Sequence, residues 1–307
     1  MRTNSKITAW RGLILALLIG LTVTPARADL RVFATVPEWG ALAKAIGGEH
    51  ITLYTATHAL QDPHRIEAKP SLLAQARRAD LLIATGAELE IGWLPLLLRD
   101  GGNPAIQPGR PGYFEATANL PLLDIPSKVD RAQGDVHAAG NPHVHLDPRL
   151  LLRIGQALAE RMGTLDPGNA ARYQAAYRQF AERWQTALQR WETLAAPLKG
   201  TRVLVQHGAF LYLTTWLGMQ EVGTLEPRPG IEPTRSHLNT LLGKQQQNPA
   251  KMILRAAYHD ASASQWLGEK GGIPVVVLPY TVGGNAAAGD LFELFENSVQ
   301  QLLKGLQ

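Results

Sequence analysis

From Leu30 onward the chain alternates short apolar runs with amphipathic stretches, and this alternation constrains the fold more than any other feature. Leu30 to Val36 reads as a strand and Trp39 to Ile46 as a helix. Ile51 to Ala56 reads as a second strand, and Pro70 to Arg78 as a helix with proline in its first turn. Asp80 to Thr85 is a buried strand ending at Gly86, with a helix over Ile91 to Leu98. Strands that each hand over to a helix form mostly parallel sheets covered by helices. Residues Gly101 to Gly140 are rich in Gly and Pro and predict loops with one short strand. Pro148 then opens a helical region: one helix over Leu150 to Met162, and a second restarting at Asp166-Pro167 and running to Leu194. Tyr173, Tyr177, Phe180, Trp184, Leu188 and Trp191 recur three or four apart on that second helix, which reads as a packing face. Beyond Pro197 and Gly200 the theme returns, with strands Arg202 to Gln206, Lys251 to Arg255 and Val275 to Leu278. Helices are expected over Phe210 to Leu217, Pro233 to Gln246, Ser262 to Glu269 and Asp290 to Leu306. The expected architecture is α/β: two (β/α) lobes with mostly parallel sheets, joined by one long helix, with a ligand in the cleft between them. The lobes are expected over 29–148 and 199–307, with a linking helical region over 149–198.

The first 28 residues are set apart. Arg2, Lys6, Arg11 and Arg27 lie there without an acidic residue, and Gly12 to Thr24 carries no charge. Ala26-Arg27-Ala28 follows as a small-x-small site, which completes the layout of a secretory signal peptide cleaved after Ala28. An apolar run of about 13 residues is short of the roughly 20 that span a bilayer, and no later stretch is long and apolar enough to cross one. The expected product is a soluble periplasmic protein with no membrane span. Without that segment, the formal charge of +4 disappears, leaving 26 basic and 26 acidic side chains. Nucleic-acid binding then loses its support. Cysteine is absent, which excludes disulfides, thiolate metal sites and an acylated N-terminal cysteine.

The remaining chemistry rests on histidine. His50 and His237 stand in ordinary polar surroundings and read as surface residues, and His259, beside Asp260, is a weak candidate ligand. His64 lies in Gln61-Asp62-Pro63-His64, and His143 and His145 lie in Asn141-Pro142-His143-Val144-His145-Leu146-Asp147-Pro148. His207 ends a predicted strand. All sit where strands pass into loops, the edge at which α/β proteins bind ligands. Three imidazoles without cysteine suit Zn²⁺, which takes neutral nitrogen ligands in tetrahedral geometry.

The order of Asp62-Pro63-His64 with Lys69-Pro70-Ser71, Ala79-Asp80-Leu81-Leu82 with Gly86-Ala87-Glu88-Leu89-Glu90, and Asn141-Pro142-His143 with Leu146-Asp147-Pro148 resembles one known family. It is that of the metal-binding solute receptors of ABC importers (cluster A-I, or cluster 9), the zinc branch in particular. The resemblance covers residues 30–307. It implies two lobes bridged by a rigid helix, no enzymatic activity, and a metal ion held in the cleft as cargo for an ABC permease, with a metallochaperone as a further partner and a monomer as the working state. By the same resemblance His64, His143 and His207 are the metal ligands, and an imidazole rather than a carboxylate at the third place implies zinc. His145 falls where an aromatic residue is usual, and is placed behind the ligands or at the surface. The pattern breaks after the last strand, where an aspartate is common as fourth ligand. Here Pro279-Tyr280-Thr281-Val282-Gly283-Gly284 offers no carboxylate. Water or His137 is favoured for the fourth position, with Asp260 and Glu226 as the other candidates. Tyr280 and Thr281 are expected to shape the cleft wall. Two further readings stay open: a zinc hydrolase using His143-x-His145, and an exported receptor for another solute.

Overall fold

The computed structural model describes residues 29–127 and 134–307, so the expected leader lies outside the described residues. The first sheet holds β1 (Leu30–Ala34), β2 (Ile51–Thr55), β3 (Leu81–Ala84) and β4 (Tyr113–Glu115) in the order β2-β1-β3-β4. All its neighbours pair parallel. Helices α1 (Pro37–Gly47), α2 (Pro70–Arg78) and α3 (Leu94–Gly101) connect these strands. Next come α4 (Pro148–Leu165) and the 25-residue α5 (Ala170–Leu194), which lie against each other. The second sheet holds β5 (Arg202–Val205), β6 (Gln220–Thr224), β7 (Met252–Ala256) and β8 (Val275–Leu278) in the order β6-β5-β7-β8, again all parallel. Helices α6 (Leu211–Trp216), α7 (Arg235–Gln245), α8 (Ser262–Gly271) and α9 (Leu291–Leu306) accompany it.

A parallel sheet is buried on both faces, and alternate side chains sort between two cores. Val32 and Ala34 of β1 face the central core, whereas Phe33 faces α2 and α3 with Leu72, Leu94 and Leu97. Val203 and Val205 join the same central core, and Leu204 faces α7 and α8 with Leu238 and Leu267. One continuous apolar core therefore ties the two sheets together. Helix α5 runs through it, against α1 at one end and α9 at the other. Its stripe is packing: Tyr173, Trp184 and Trp191 are fully buried, and the Trp184 ring lies 4.8 Å from Phe292 and 5.2 Å from Trp191. Trp184 Nε1 also donates to the Pro148 carbonyl (2.8 Å), fixing the start of α4.

The differences from the expected elements have local causes. Strand β6 was not anticipated: Gln220-Glu221-Val222-Gly223-Thr224 is a polar edge with a register shift opposite Val203 and Leu204. Edge strands carry little apolar alternation. Helix α3 begins at Leu94 rather than Ile91, because residues 86–93 form tight turns in which Ala87 (φ 48°) and Glu88 (φ 66°) are left-handed. The long helix starts at Ala170 after a 3-10 turn over Pro167–Asn169. Each sheet has a switch point, between β1 and β3 and between β5 and β7. Among the described residues, no helix is long and apolar enough to cross a membrane.

Candidate metal centre

Loops at the carboxyl ends of the strands bring four imidazoles together. His64 comes from the loop after β2. Its amide and its Nδ1 both meet Asp62 Oδ1, at 3.0 and 2.8 Å, so Asp62 sets the turn and orients the ring. Trp93 Nε1 holds the Pro63 carbonyl at 3.0 Å. Gly92 lets the chain pass close, since a Cβ there would stand 2.9 Å from the His64 carbonyl oxygen.

His143 sits in the turn before α4 and is 1% exposed. The Asn141 side chain accepts from its amide (3.0 Å) and donates to the Gly208 carbonyl (2.8 Å), so one residue joins the His143 turn to the His207 turn. Asp147 then caps α4 by accepting from Arg149 N (2.9 Å), with Pro148 in the first turn. This bears out Leu146-Asp147-Pro148 as a helix start. His207 follows β5 directly, and its Nδ1 meets Glu226 Oε2 at 2.7 Å. Glu226 Oε2 also accepts from Gly230 N (2.8 Å).

The rings of His64, His143 and His207 stand 5.6, 5.6 and 5.7 Å apart pairwise. An ion about 2.0–2.1 Å from each nitrogen with tetrahedral angles sets imidazole centres about 5.3 Å apart, so the triangle has the right size. His137, from the loop after residue 133, stacks on His64 at 5.4 Å and lies 6.3 Å from His143. Ligating atoms of His64, His137 and His143 all fall within 4.8 Å of one another. The Nε2 atoms of His64 and His137 are buried with no hydrogen-bond partner, which leaves their lone pairs free for an ion. Ala138 N donates to Glu88 Oε2 (2.7 Å) and Asp135 N to the Pro229 carbonyl (2.9 Å), so the His137 loop is tied to both halves. A cavity of about 230 Å³ opens onto His137, His143 and His207.

Charge follows from burial. Desolvation, then the neighbouring His64 and His207, push the His137 imidazole down to about 3, and His143 falls well below its ordinary value for the same reasons. Burial alone would raise the Asp62 carboxyl, but its hydrogen bond and charge contact with His64 outweigh this and hold it at about 2. Desolvation and His207 push His259 down to about 3. Unfolded histidines take up protons near 6.5, so between about 3 and 6.5 the unfolded chain binds more protons than the fold. Stability then rises with pH in that window. The melting temperature of the metal-free protein is therefore expected to fall as pH is lowered from 7 to 4, and less steeply with His137 and His259 both replaced by alanine. A flat profile in thermal scans would contradict these buried neutral imidazoles.

Of the two places expected for His145, the structure shows the one behind the ligands: it is 0% exposed, with Nε2 donating to the Tyr280 carbonyl (3.0 Å) and Nδ1 3.3 Å from Glu38 Oε1. His50 and His237 are half-buried rather than on the surface, and His237 Nε2 donates to the Thr224 carbonyl (2.8 Å). Asp260 is exposed and its carboxylate accepts from Ser262 N (2.8 Å). Glu226 stands behind His207. His259 lies beside the cluster, 5.9 Å from the His207 ring. His58, which the sequence reading passes over, is exposed. Tyr280 and Thr281 are buried behind the imidazoles: the Tyr280 hydroxyl meets His143 Nδ1 at 2.7 Å, and Thr281 Oγ1 donates to Glu38 Oε2 at 2.5 Å. Gly283 takes a left-handed φ of 84° as expected. Gly284 is needed for space instead, since a Cβ would lie 2.9 Å from Pro279 Cα. Glu38 was missed because an acidic residue in the first turn of a helix is ordinary at the surface.

A family model described as ZnuA, "Zinc-uptake complex component A periplasmic", matches residues 32–305. The chain belongs to the ZnuA family. ZnuA-family chains are metal-binding substrate-binding proteins of ABC transporters, so this is a receptor and not an enzyme, and the hydrolase reading falls. The high-affinity zinc uptake protein ZnuA of Paracoccus denitrificans is 24% identical over 81% of this chain and 82% of its own. The manganese ABC transporter substrate-binding lipoprotein PsaA of Streptococcus pneumoniae is 23% identical over 98% of this chain and 99% of its own. Among solved structures, a crystal structure of ZnuA superposes with a TM-score of 0.75 at 20% identity, covering 91% of this chain and 100% of its own. The substrate-binding protein FpvC of Pseudomonas aeruginosa in complex with Mn²⁺ also gives 0.75, at 22% identity over 91% of this chain and 98% of its own. The two-lobe α/β fold with a long helix is thus the ZnuA fold.

Proposed function

We propose that this chain is the zinc receptor of an ABC importer. A leader over 1–28 is removed after Ala28 on export to the periplasm, and the lobes 29–148 and 199–307, bridged by 149–198, hold Zn²⁺ and deliver it to the membrane permease. The observation that carries this reading is the meeting of His64, His143 and His207, each with its Nδ1 already bonded and its other nitrogen left for a metal. A ligand histidine is commonly oriented this way, by a partner on its second nitrogen. Relatives named for zinc and for manganese are about equally similar, so the choice of metal rests on the donors. Neutral imidazoles suit zinc, while carboxylate and water suit manganese. The acidic residues nearest the rings, Asp62 and Glu226, are engaged on His64 and His207.

The fourth position goes to His137, whose buried, unpartnered Nε2 supports the assignment. His137→Ala is expected to weaken zinc binding well beyond threefold, about tenfold. An effect within threefold would leave that position to water.

Titration of tag-free protein with zinc against a competing chelator tests the reading, with one equivalent bound and manganese much weaker as the expected result. Zinc should also raise the melting temperature by mass action. The radius of gyration should barely change, because the core and α5 run through both lobes. No stoichiometric zinc, or tighter manganese, would overturn the proposal.

A further inference from the structure

We infer that Glu38 and His145 are positioning residues that act on the metal through Tyr280 and His143. The inference rests on the zinc-receptor reading. His64 and His207 turn their Nδ1 atoms to carboxylates, which only accept, so each ring is held with hydrogen on Nδ1 and a lone pair on Nε2. His143 differs: its Nδ1 faces the Tyr280 hydroxyl, which can donate or accept. A hydroxyl free to choose would also stabilise the opposite tautomer, whose Nε2 carries hydrogen and cannot bind a metal. Where that oxygen stands relative to Nδ1, and so how the His143 ring is aimed, is set by the backbone that bears the tyrosine.

That backbone is clamped on both sides by groups 0% exposed. His145 Nε2 donates to the Tyr280 carbonyl (3.0 Å), and the adjacent Thr281 hydroxyl donates to Glu38 Oε2 (2.5 Å). The other oxygen of Glu38 lies 3.3 Å from His145 Nδ1 with no hydrogen bond between them, so the carboxylate holds the Thr281 clamp directly and only packs beside the His145 clamp. The Tyr280 ring packs edge-on against His145 at 4.8 Å, which leaves the side chain little room. Glu38 stands in the first turn of α1, beside the switch point of the first sheet, and Tyr280 and Thr281 follow the last strand of the second. A polar path closed to solvent thus runs from one lobe, through the other, to a metal ligand. Glu38, His145, Tyr280 and Thr281 are not among the residues that line the cavity beside the imidazoles. A buried polar array that serves only the fold is replaceable by apolar groups at little cost. This one ends on the imidazole that most needs orienting.

The test is a double-mutant cycle. Glu38→Ala removes the acceptor of the Thr281 clamp and the carboxylate beside His145, and Thr281→Val breaks the same clamp without changing volume, which guards against a Glu38 variant that does not fold. In the parent, each is expected to lower zinc affinity about tenfold, as removal of a group behind a ligand does. In a Tyr280→Phe background, where the hydroxyl is already gone, the same changes should cost less than about threefold. The d–d spectrum of the Co²⁺-loaded protein should change in the parent background and stay fixed in the Tyr280→Phe background. Equal losses in both backgrounds, or no loss in either, would overturn the inference. If Tyr280→Phe and His143→Ala themselves leave zinc affinity at the parental value, the zinc-receptor reading of His143 fails instead.

Discussion

Alanine in place of His143 will lower zinc affinity by more than about a hundredfold, a larger loss than the 10–100-fold typical of a residue behind the ligands. The side chain is 1% exposed, so its removal takes away a nitrogen donor and leaves a void in a buried site. Water entering that void is a weaker donor than imidazole and is itself confined. The Tyr280 hydroxyl, deprived of its partner, would also be stranded in a buried site, which costs further free energy. His64→Ala and His207→Ala remove donors whose side chains are slightly more exposed, at 8% each, and a loss of at least about tenfold is expected for each. Chelator competition measures all three. Parental affinity in any two of them would remove the assignment.

Neutralising Asp62 and Glu226 is expected to cost about 10–100-fold each, and more when combined. Three or four neutral imidazoles bring a divalent cation into a mostly buried site with its full charge uncompensated, and an uncompensated buried charge is expensive. Among the described residues, the carboxylates bonded to the triangle's rings stand one step back: Asp62 on His64 and Glu226 on His207. Two carboxylates match two positive charges. Asp62→Asn and Glu226→Gln preserve an oxygen that can still accept from each Nδ1, so they remove charge while keeping orientation. Because the two act on different histidines, their effects should multiply rather than overlap. Zinc affinities of both single variants within threefold of the parent would show that charge compensation lies elsewhere.

Much of this was legible in the sequence because local patterns and global fold agree. Pro70 to Arg78 and Val275 to Leu278 were read to the residue, since a proline at a helix start and a valine run in a buried strand are strong local signals. His64, His143 and His207 were legible through their Asp-Pro-His and Asn-Pro-His turns and a strand end, and the structure brings them together. What the sequence hid depends on contacts between distant segments. Glu38 and Thr281 are 243 residues apart, and nothing local marks either as buried. His145 reads as lying behind the ligands or at the surface until its partners are known. Strand β6 has no apolar alternation because it lies at an edge. The role of Glu226 needs the register of β5 beside β6, which places it next to His207.

The central claim is that zinc sits among His64, His143 and His207. Anomalous diffraction at the zinc edge from crystals of the loaded protein tests it most directly. One peak is expected, about 2.0–2.1 Å from a single nitrogen of each of these three imidazoles. A peak bonded to fewer than two of them, or coordinated mainly by carboxylate oxygens, would contradict the account.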